Sequence, residues 1–329
     1  MIDVVYAASW LSGRRFYLFS HHLYRNDPCW REPAVWGGQK MLNPMSNVLL
    51  RYPHAMLFAI ENNRILARVL TGTRGDGQGY FALFDAEDRS DAVRKLMDEA
   101  VRWQKKHGSK EIIGPIAPII ADLGGGVLTD GFGTTAAFND SYNADYYDRL
   151  LKDSGFVRNE EWLSYRINLI GLDRGKYRKT AEWCCERFDY STADGLDFSS
   201  RELAEIMYCV MDGDINMEQA DRLARKIGRF LTGGLCPVVY AADEPVGMLL
   251  TVRNRQERPR VATLWVREKW RRKGVTSVLF GEFLREADRL GLSEIDGSTI
   301  GSDNLPSILG AERAGGRVVQ RFSRYRMQI

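Results

Sequence analysis

"WVREKWRRKGVTSVLF", residues 265 to 280, decides how the chain is read. It runs from an apolar, strand-like segment through a cluster of cations to Gly274, and from there directly into a helical pattern. Arg271, Arg272 and Lys273 stand ahead of a helix start, where unpaired main-chain N–H groups already carry partial positive charge. That placement is unfavourable unless an anion fills the site. A glycine at the turn lets the main chain curl closely around a ligand, and the N–H groups from Arg272 to Thr276 then form an anion-binding concavity. Arg271 can add planar, charge-assisted hydrogen bonds and Lys273 a mobile point charge. On composition alone, an exposed loop whose cations face water is an equally good reading.

The net charge of +3 is too small to suggest nucleic-acid binding, but it is unevenly spread. From Thr251 onward there are 16 Arg and Lys against 9 Asp and Glu, a cationic field suited to a small anionic ligand. The 5 cysteines are odd in number and two are adjacent, Cys184 and Cys185, which reads as reduced thiols and not as a disulfide framework. "MIDVVYAASWLSGRRF" lacks signal-peptide architecture, and no apolar run approaches the roughly 20 residues needed to cross a bilayer. A cytoplasmic protein is expected. His21, His22, His54 and His107 are scattered without ligand-like spacing, so no metal is expected. "GDGQG" and "DLGGGV" do not form a strand–GxGxxG–helix unit, and there is no GxSxG elbow.

Periodicity gives a mixed α/β order, and it gives it twice. In the second half "CPVVYAADEPVGMLLTV" reads as a hairpin turning at Glu244-Pro245. The strand "VATLWV" follows, then a helix from about Val275 to Leu290 ended by Gly291. "LSEIDGSTI" is the next strand, before a short helix after Asn304 and a closing strand pair around "RVVQRFSRYRMQI". In the first half "AMLFAIENNRILARVL" turns at Asn62-Asn63, "GYFALF" is the next strand, and Ser90 caps a helix ended by Gly108. From Asn62 to Gly108 is 46 residues and from Glu244 to Gly291 is 47, so a tandem duplication explains the order better than chance. The expected organisation is a first domain over 1–172 with an insertion at about 114–140, a linker over 173–187 and a second domain over 188–329.

Arg271-Arg272-Lys273-Gly274-Val275-Thr276, preceded by "LWV" and followed by an amphipathic helix, resembles the pyrophosphate-binding motif Arg/Gln-x-x-Gly-x-Gly/Ala of the GNAT acyl-CoA N-acyltransferase superfamily. Thr276 replaces the usual small residue, and "NLPSILGAERAGG" resembles the family's Asn-x-x-Ala helix. The first half resembles the degenerate copies of tandem bacterial members in "GPIAP", "LTDGF", "YNADYY" and "SGF"; its "FDAEDRSDA" is acidic where phosphate would have to sit.

The resemblance implies an α/β fold of mixed sheets, two tandem GNAT-like domains, and acyl-CoA (acetyl-CoA above all) as co-substrate. It implies that Leu264, Trp265 and Val266 pair with the pantetheine arm, and that Arg271, Arg272, Lys273, Gly274, Val275, Thr276 and Asn304 complete the coenzyme site. A main-chain N–H of that strand would stabilise the developing oxyanion, and an amine would attack the thioester directly. The family's usual acid, a tyrosine seven residues past the motif asparagine, is Ala311 here, and "RVATLWV" carries no carboxylate base. Asp296, Asn304 and Asp212 are the expected catalytic residues, with Asp303 and Asp214 as further possible bases. Asp214, Tyr142 and Tyr146 are the expected acceptor-binding residues, drawn from a loop that also holds Asp130, Asn139, Asp140, Asn143 and Tyr147. The expected partner is a small-molecule or peptide amine, without nucleic acid or membrane, and a homodimer is left open. Two other readings are kept: a coenzyme-binding protein without catalysis, and an aminoacyl transferase using charged transfer RNA, for which the sequence offers no helical arm.

Overall fold

Val93, Leu96, Met97 and Ala100 recur at spacings of three and four, and in the computed structural model they form the buried face of a helix, Ser90–Lys106. The structure describes residues 1–74, 77–118, 125–212, 214–254 and 258–329. These form two compact units. The first joins Met1–Ser164 to Thr299–Asn304 and Val318–Ile329, and the second joins Tyr165–Ser298 to Leu305–Arg317.

The first unit runs through β1 (Ile2–Tyr6), α1 (Trp10–Tyr24), β2 (His54–Glu61), β3 (Arg64–Thr73), β4 (Gly79–Ala86), α2 (Ser90–Lys106), β5 (Glu111–Gly114), β6 (Val127–Asp130) and α3 (Tyr147–Asp153) into β7 (Val157–Asn168). Strands β1 to β4 are antiparallel neighbours in that order. β5 joins β4 in parallel, at Gly79–Ile112 and Tyr80–Ile113 alone, so the two strands part toward Ala86. The β2–β3 turn is at Asn62-Asn63, both at positive φ, a conformation asparagine tolerates better than most residues. Ser90 does not cap α2 as expected. The N-cap is Arg89, without a side-chain bond, and Ser90 Oγ donates instead to Asp153 Oδ2 at 3.1 Å.

The second unit holds α4 (Arg174–Phe188), β8 (Tyr190–Asp194), α5 (Ser200–Val210), α6 (Met217–Ile227), β9 (Pro237–Ala241), β10 (Glu244–Val252), β11 (Arg260–Val266), α7 (Val275–Arg289), β12 (Glu294–Gly301, up to Ser298) and α8 (Leu305–Arg313). Its sheet order is β12-β11-β10-β9-β8. The hairpin turns at Ala242-Asp243 and not at Glu244-Pro245. Ala242 adopts φ 52°, and the proline is tolerated beside an irregularity in the β9–β10 ladder. Asn62 and Ala242 are thus 180 residues apart, and so are the strand partners Ala67–Ala86 and Gly247–Val266. The duplication is preserved in register through the ends of β4 and β11.

Two segments differ from expectation. The stretch expected as a linker is the helix α4: Asp173 caps it by accepting Lys176 N–H at 3.0 Å, and Ala181 and Cys184 are buried. Gly281 on α7 makes this packing possible, since a Cβ there would lie 2.6 Å from Ala181 Cβ. The closing strand pair is one long strand, β13 (Gly316–Gln328), because "RVVQRFSRYRMQ" offers no Gly, Pro or Asn at which to turn. Its residues 321–328 belong to the first unit, pairing with β5 from Tyr325–Gly114 to Gln328–Glu111 and with β6 at Phe322–Leu128. The expected insertion contains β6, and its residues 119–124 lie outside the described residues.

Asp148, on α3, ties this strand down. Burial raises the carboxyl, but bonds from Arg158, Tyr325 and Lys152 outweigh it and hold the group at about 2. The unfolded value is about 3.9, so this stabilisation is present above pH ~4 and disappears as pH falls toward ~2. Asp148→Asn is expected to lower stability at pH 7, with the deficit relative to the native chain shrinking between those two pH values; urea denaturation across a pH series measures it.

Candidate acyl-CoA site in the second unit

β11 and β12 pair in parallel only at Arg260–Asp296. Beyond that point the described residues show no further main-chain pairing of β11 with β12, only the Ser298 Oγ bond to Val261 O at 2.9 Å, and Leu264 is 40% exposed with Trp265 and Val266 half-buried. An apolar strand end left uncovered beside a parallel neighbour is a cleft with main-chain hydrogen-bonding groups along one wall.

At the head of this cleft the chain leaves β11 through Arg267, whose N–H bonds Val246 O at 3.0 Å. A short turn follows, with Trp270 N–H on Arg267 O at 2.9 Å and Arg271 N–H on Glu268 O at 3.1 Å. Then Arg272 takes φ 63° and Gly274 φ 80°, and α7 begins at Val275. Two left-handed residues one apart swing the main chain so that its amides face outward. Among the described residues, the N–H groups of Arg272, Lys273, Gly274, Val275 and Thr276 have no protein acceptor. Five consecutive unsatisfied donors at a helix start are what a diphosphate needs. The residues present therefore fit the coenzyme that the motif implies.

Side-chain charges divide along the same line. Arg267 bonds Glu244 and lies 3.7 Å from Asp212, and Lys269 reaches Glu244 at 2.8 Å. Lys269 and then Arg267 hold the Glu244 carboxyl below its ordinary value. The next cations are not neutralised. Arg271 Nε donates only to Val266 O at 3.3 Å, Arg272 has no side-chain partner among the described residues, and Lys273 Nζ lies 4.8 Å over the Trp270 ring. All three are exposed, so the unpaired charge gathers at the amide cradle.

Gly274 is required twice over. Its φ is one that L side chains avoid, and a Cβ there would meet Cys184 Sγ at 2.3 Å. Gly247 on β10 has a matching role, since a Cβ would lie 2.5 Å from Val275 Cγ1 and push the first turn of α7 off the sheet.

The expected catalytic and acceptor residues do not all gather here. Asp296 is 3% exposed and is held by Arg166 at 3.1 Å and Arg258 at 2.9 Å. A carboxylate enclosed by two guanidiniums anchors β12 and is poorly placed to take a proton from an acceptor amine. Asp212, at φ 49°, accepts Glu268 N–H at 3.4 Å beside the ion pair with Arg267. It supports the turn. Asp214 is exposed and its carboxylate has no partner among the described residues. Asn304 and Asp303 fall in the first unit, with Asn304 N–H on Gly301 O at 2.9 Å, and Ala311 on α8 offers no proton.

Tyr142 and Tyr146 are committed elsewhere, in the first unit. Tyr142 donates to Asp27 at 2.7 Å and Tyr146 to Ala86 O at 2.9 Å, and burial foremost pushes the Tyr146 hydroxyl up to about 12. Asn143 clamps β6 through Leu128 N–H and C=O, and Asn139 accepts Val35 N–H at 3.0 Å. These residues, expected to receive an acceptor, hold their own loop together. Ala86 is the counterpart of Val266, and its N–H is taken by Tyr147 Oη at 2.8 Å. Tyr146 and Tyr147 thus cap both main-chain groups of a strand end whose counterpart in the second unit, Val266, has only its C=O engaged, by Arg271 Nε, among the described residues.

Residues 202–315 match the family model described as Acetyltransferase (GNAT) family. This stretch is a GNAT domain. Likeness to solved structures extends over the whole chain. A tandem GNAT protein from the clavulanic acid biosynthesis pathway is 13% identical, with a TM-score of 0.64, covering 100% of this chain and 98% of that one. A GCN5-related glucosamine N-acetyltransferase region in a fungal multi-domain β-N-acetylglucosaminidase is 11% identical (TM-score 0.63), over 99% of this chain and 38% of that longer one. A GCN5-related N-acetyltransferase from Sphaerobacter thermophilus is 12% identical (TM-score 0.56), covering 99% and 95%. At these identities the likeness speaks for the fold, and the fold is that of tandem GNAT proteins. No curated protein matches the sequence significantly. Among the described residues no cluster of His, Cys, Asp and Glu is arranged to hold a metal, and no helix is long and apolar enough to cross a membrane.

Cys184 and Tyr190, which touch the cradle from below, escape the motif because they lie 90 and 83 residues before the positions they touch, Gly274 and Lys273. Gly274→Ala is expected to cost about 1–3 kcal/mol in urea denaturation, from left-handed strain and the Cys184 contact; adding Cys184→Ala should recover part of the loss. In the first unit Tyr147→Phe should cost about 1–3 kcal/mol by leaving the Ala86 N–H without a partner, measured in the same way.

Proposed function

We propose that the chain is an acyl-CoA-dependent N-acyltransferase, with acetyl-CoA as the donor, and that the second unit carries the active site. One observation carries this reading: five outward amides lie at the head of an open strand, with three unneutralised cations around them. Acyl-CoA supplies an activated acyl group on a good thiolate leaving group. The Arg272–Thr276 amides bind its diphosphate, Arg271 and Lys273 add charge, and the open main chain of Leu264 to Val266 orients the pantetheine arm. Asp214 is the free carboxylate on the α5–α6 loop and the group we assign to accept or orient the incoming amine. Asp212 holds the turn through Arg267 and Glu268. The acceptor is a small-molecule or peptide amine. Because the similar fungal region is described as a glucosamine N-acetyltransferase, amino sugars belong among the amines to screen.

A second reading, coenzyme binding without transfer, is favoured by two observations: Asp296 is enclosed by arginines, and Ala311 stands where an acid would be. Thiol release from acetyl-CoA with a panel of amines separates the two readings, since a binding protein releases none beyond background. Calorimetric titration of the full chain with acetyl-CoA should give about one site per chain. Arg271→Ala combined with Lys273→Ala should weaken it by about tenfold or more with an unchanged melting temperature. Equal affinity of the native and doubly substituted chains would remove the site assignment.

A further inference from the structure

The segment from Cys184 to Tyr190 lies outside the family-matched stretch, yet it touches the phosphate turn at consecutive positions. Cys184, buried on α4, fills the space directly beneath Gly274. Asp189, at φ 53°, ends α4, and the chain re-enters the sheet at Tyr190. The Tyr190 ring stacks on Phe188 at 5.6 Å and meets Trp270 edge-on at 5.7 Å. Its hydroxyl donates to Lys273 O at 3.1 Å. Tyr190 is itself 8% exposed, so its ring is fixed by packing before any ligand arrives.

The bond to Lys273 O has a directional consequence. In a planar trans peptide the C=O and the following N–H point in opposite directions. Holding Lys273 O inward against Tyr190 therefore aims the Gly274 N–H outward, into the cradle. Without that bond the Lys273–Gly274 peptide can turn about the Lys273 ψ and the Gly274 φ, since glycine accepts either orientation.

We infer that Tyr190 is a positioning residue for the coenzyme's diphosphate: it sets the Lys273–Gly274 peptide plane and so pre-aims the central donor of the site. Trp270 couples the same ring to the Lys273 ammonium above it. α4, part of neither repeated unit plan, is thereby the floor of the phosphate turn. This rests on the acyl-CoA reading of the turn given above.

The test compares the native full chain with Tyr190→Phe, which keeps the ring and removes the hydroxyl. Two probes are titrated: acetyl-CoA, and S-acetylpantetheine, which lacks the diphosphate. Tyr190→Phe should weaken acetyl-CoA by about three- to tenfold, the equivalent of one lost hydrogen bond. S-acetylpantetheine affinity should be unchanged, and KM for acetyl-CoA should rise at constant kcat. A merely structural role would weaken both probes together. Unchanged acetyl-CoA affinity, or an equal loss for both probes, overturns the positioning role while leaving the acyl-CoA reading in place. A native chain that binds neither probe overturns both.

Discussion

Everything in the second unit converges on the peptide planes between Arg271 and Val275. The helix start leaves main-chain donors without acceptors, and left-handed values at Arg272 and Gly274 turn the peptides ahead of it outward as well. Strain at a non-glycine residue such as Arg272 persists only when its surroundings over-determine it. Here they do: Val246 O fixes the entry through Arg267 N–H, Tyr190 fixes Lys273 O, and Cys184 leaves no room above itself for anything but glycine.

The electrostatics follow from the same geometry. Glu244, with Asp212 beside Arg267, neutralises Arg267 and Lys269, the cations nearest the sheet, and Arg271 to Lys273 stay unneutralised where the amides face out. Neutralising the outer three with protein carboxylates would fill the place an anion is to take. Field and donors act together in a concave site, where a charge counts for more than on an open surface. Asp212 and Asp296 belong to this economy of support: one steadies the turn, the other steadies β12 between two arginines.

The first unit shows the same strand end with the opposite outcome. Through the register shared by Ala86 and Val266, a position whose C=O takes Arg271 Nε in one copy is capped on both main-chain groups in the other by adjacent tyrosines on α3 and its N-cap. Tyr147 bonds Tyr24, which bonds Asp85, and Arg68 completes a buried network that no ligand is needed to satisfy. A duplicated scaffold has kept one cleft open and turned the equivalent strand end into core.

The sequence by itself determined a good deal. The order of strands and helices, the doubled plan, the glycine turn at Gly274 and the cations around it all follow from local chemistry: side-chain periodicity, glycine geometry and the orphan donors of a helix start act within a few residues. The linker was misjudged because "RGKYRKTAEWCCERF" shows only a faint apolar face, and α4 is helical through packing of Ala181 against Gly281, a distant residue. The closing strand pair failed on register, since where a strand without turn residues finds its neighbours is a tertiary matter. The fate of individual side chains was also beyond local reading. Tyr142, Tyr146 and Asp296 carry the chemistry of binding and catalysis, but hydrogen bonds and ion pairs across long sequence separations have already engaged them. A residue's type announces what it can do, and only its surroundings in space decide whether that capacity is free.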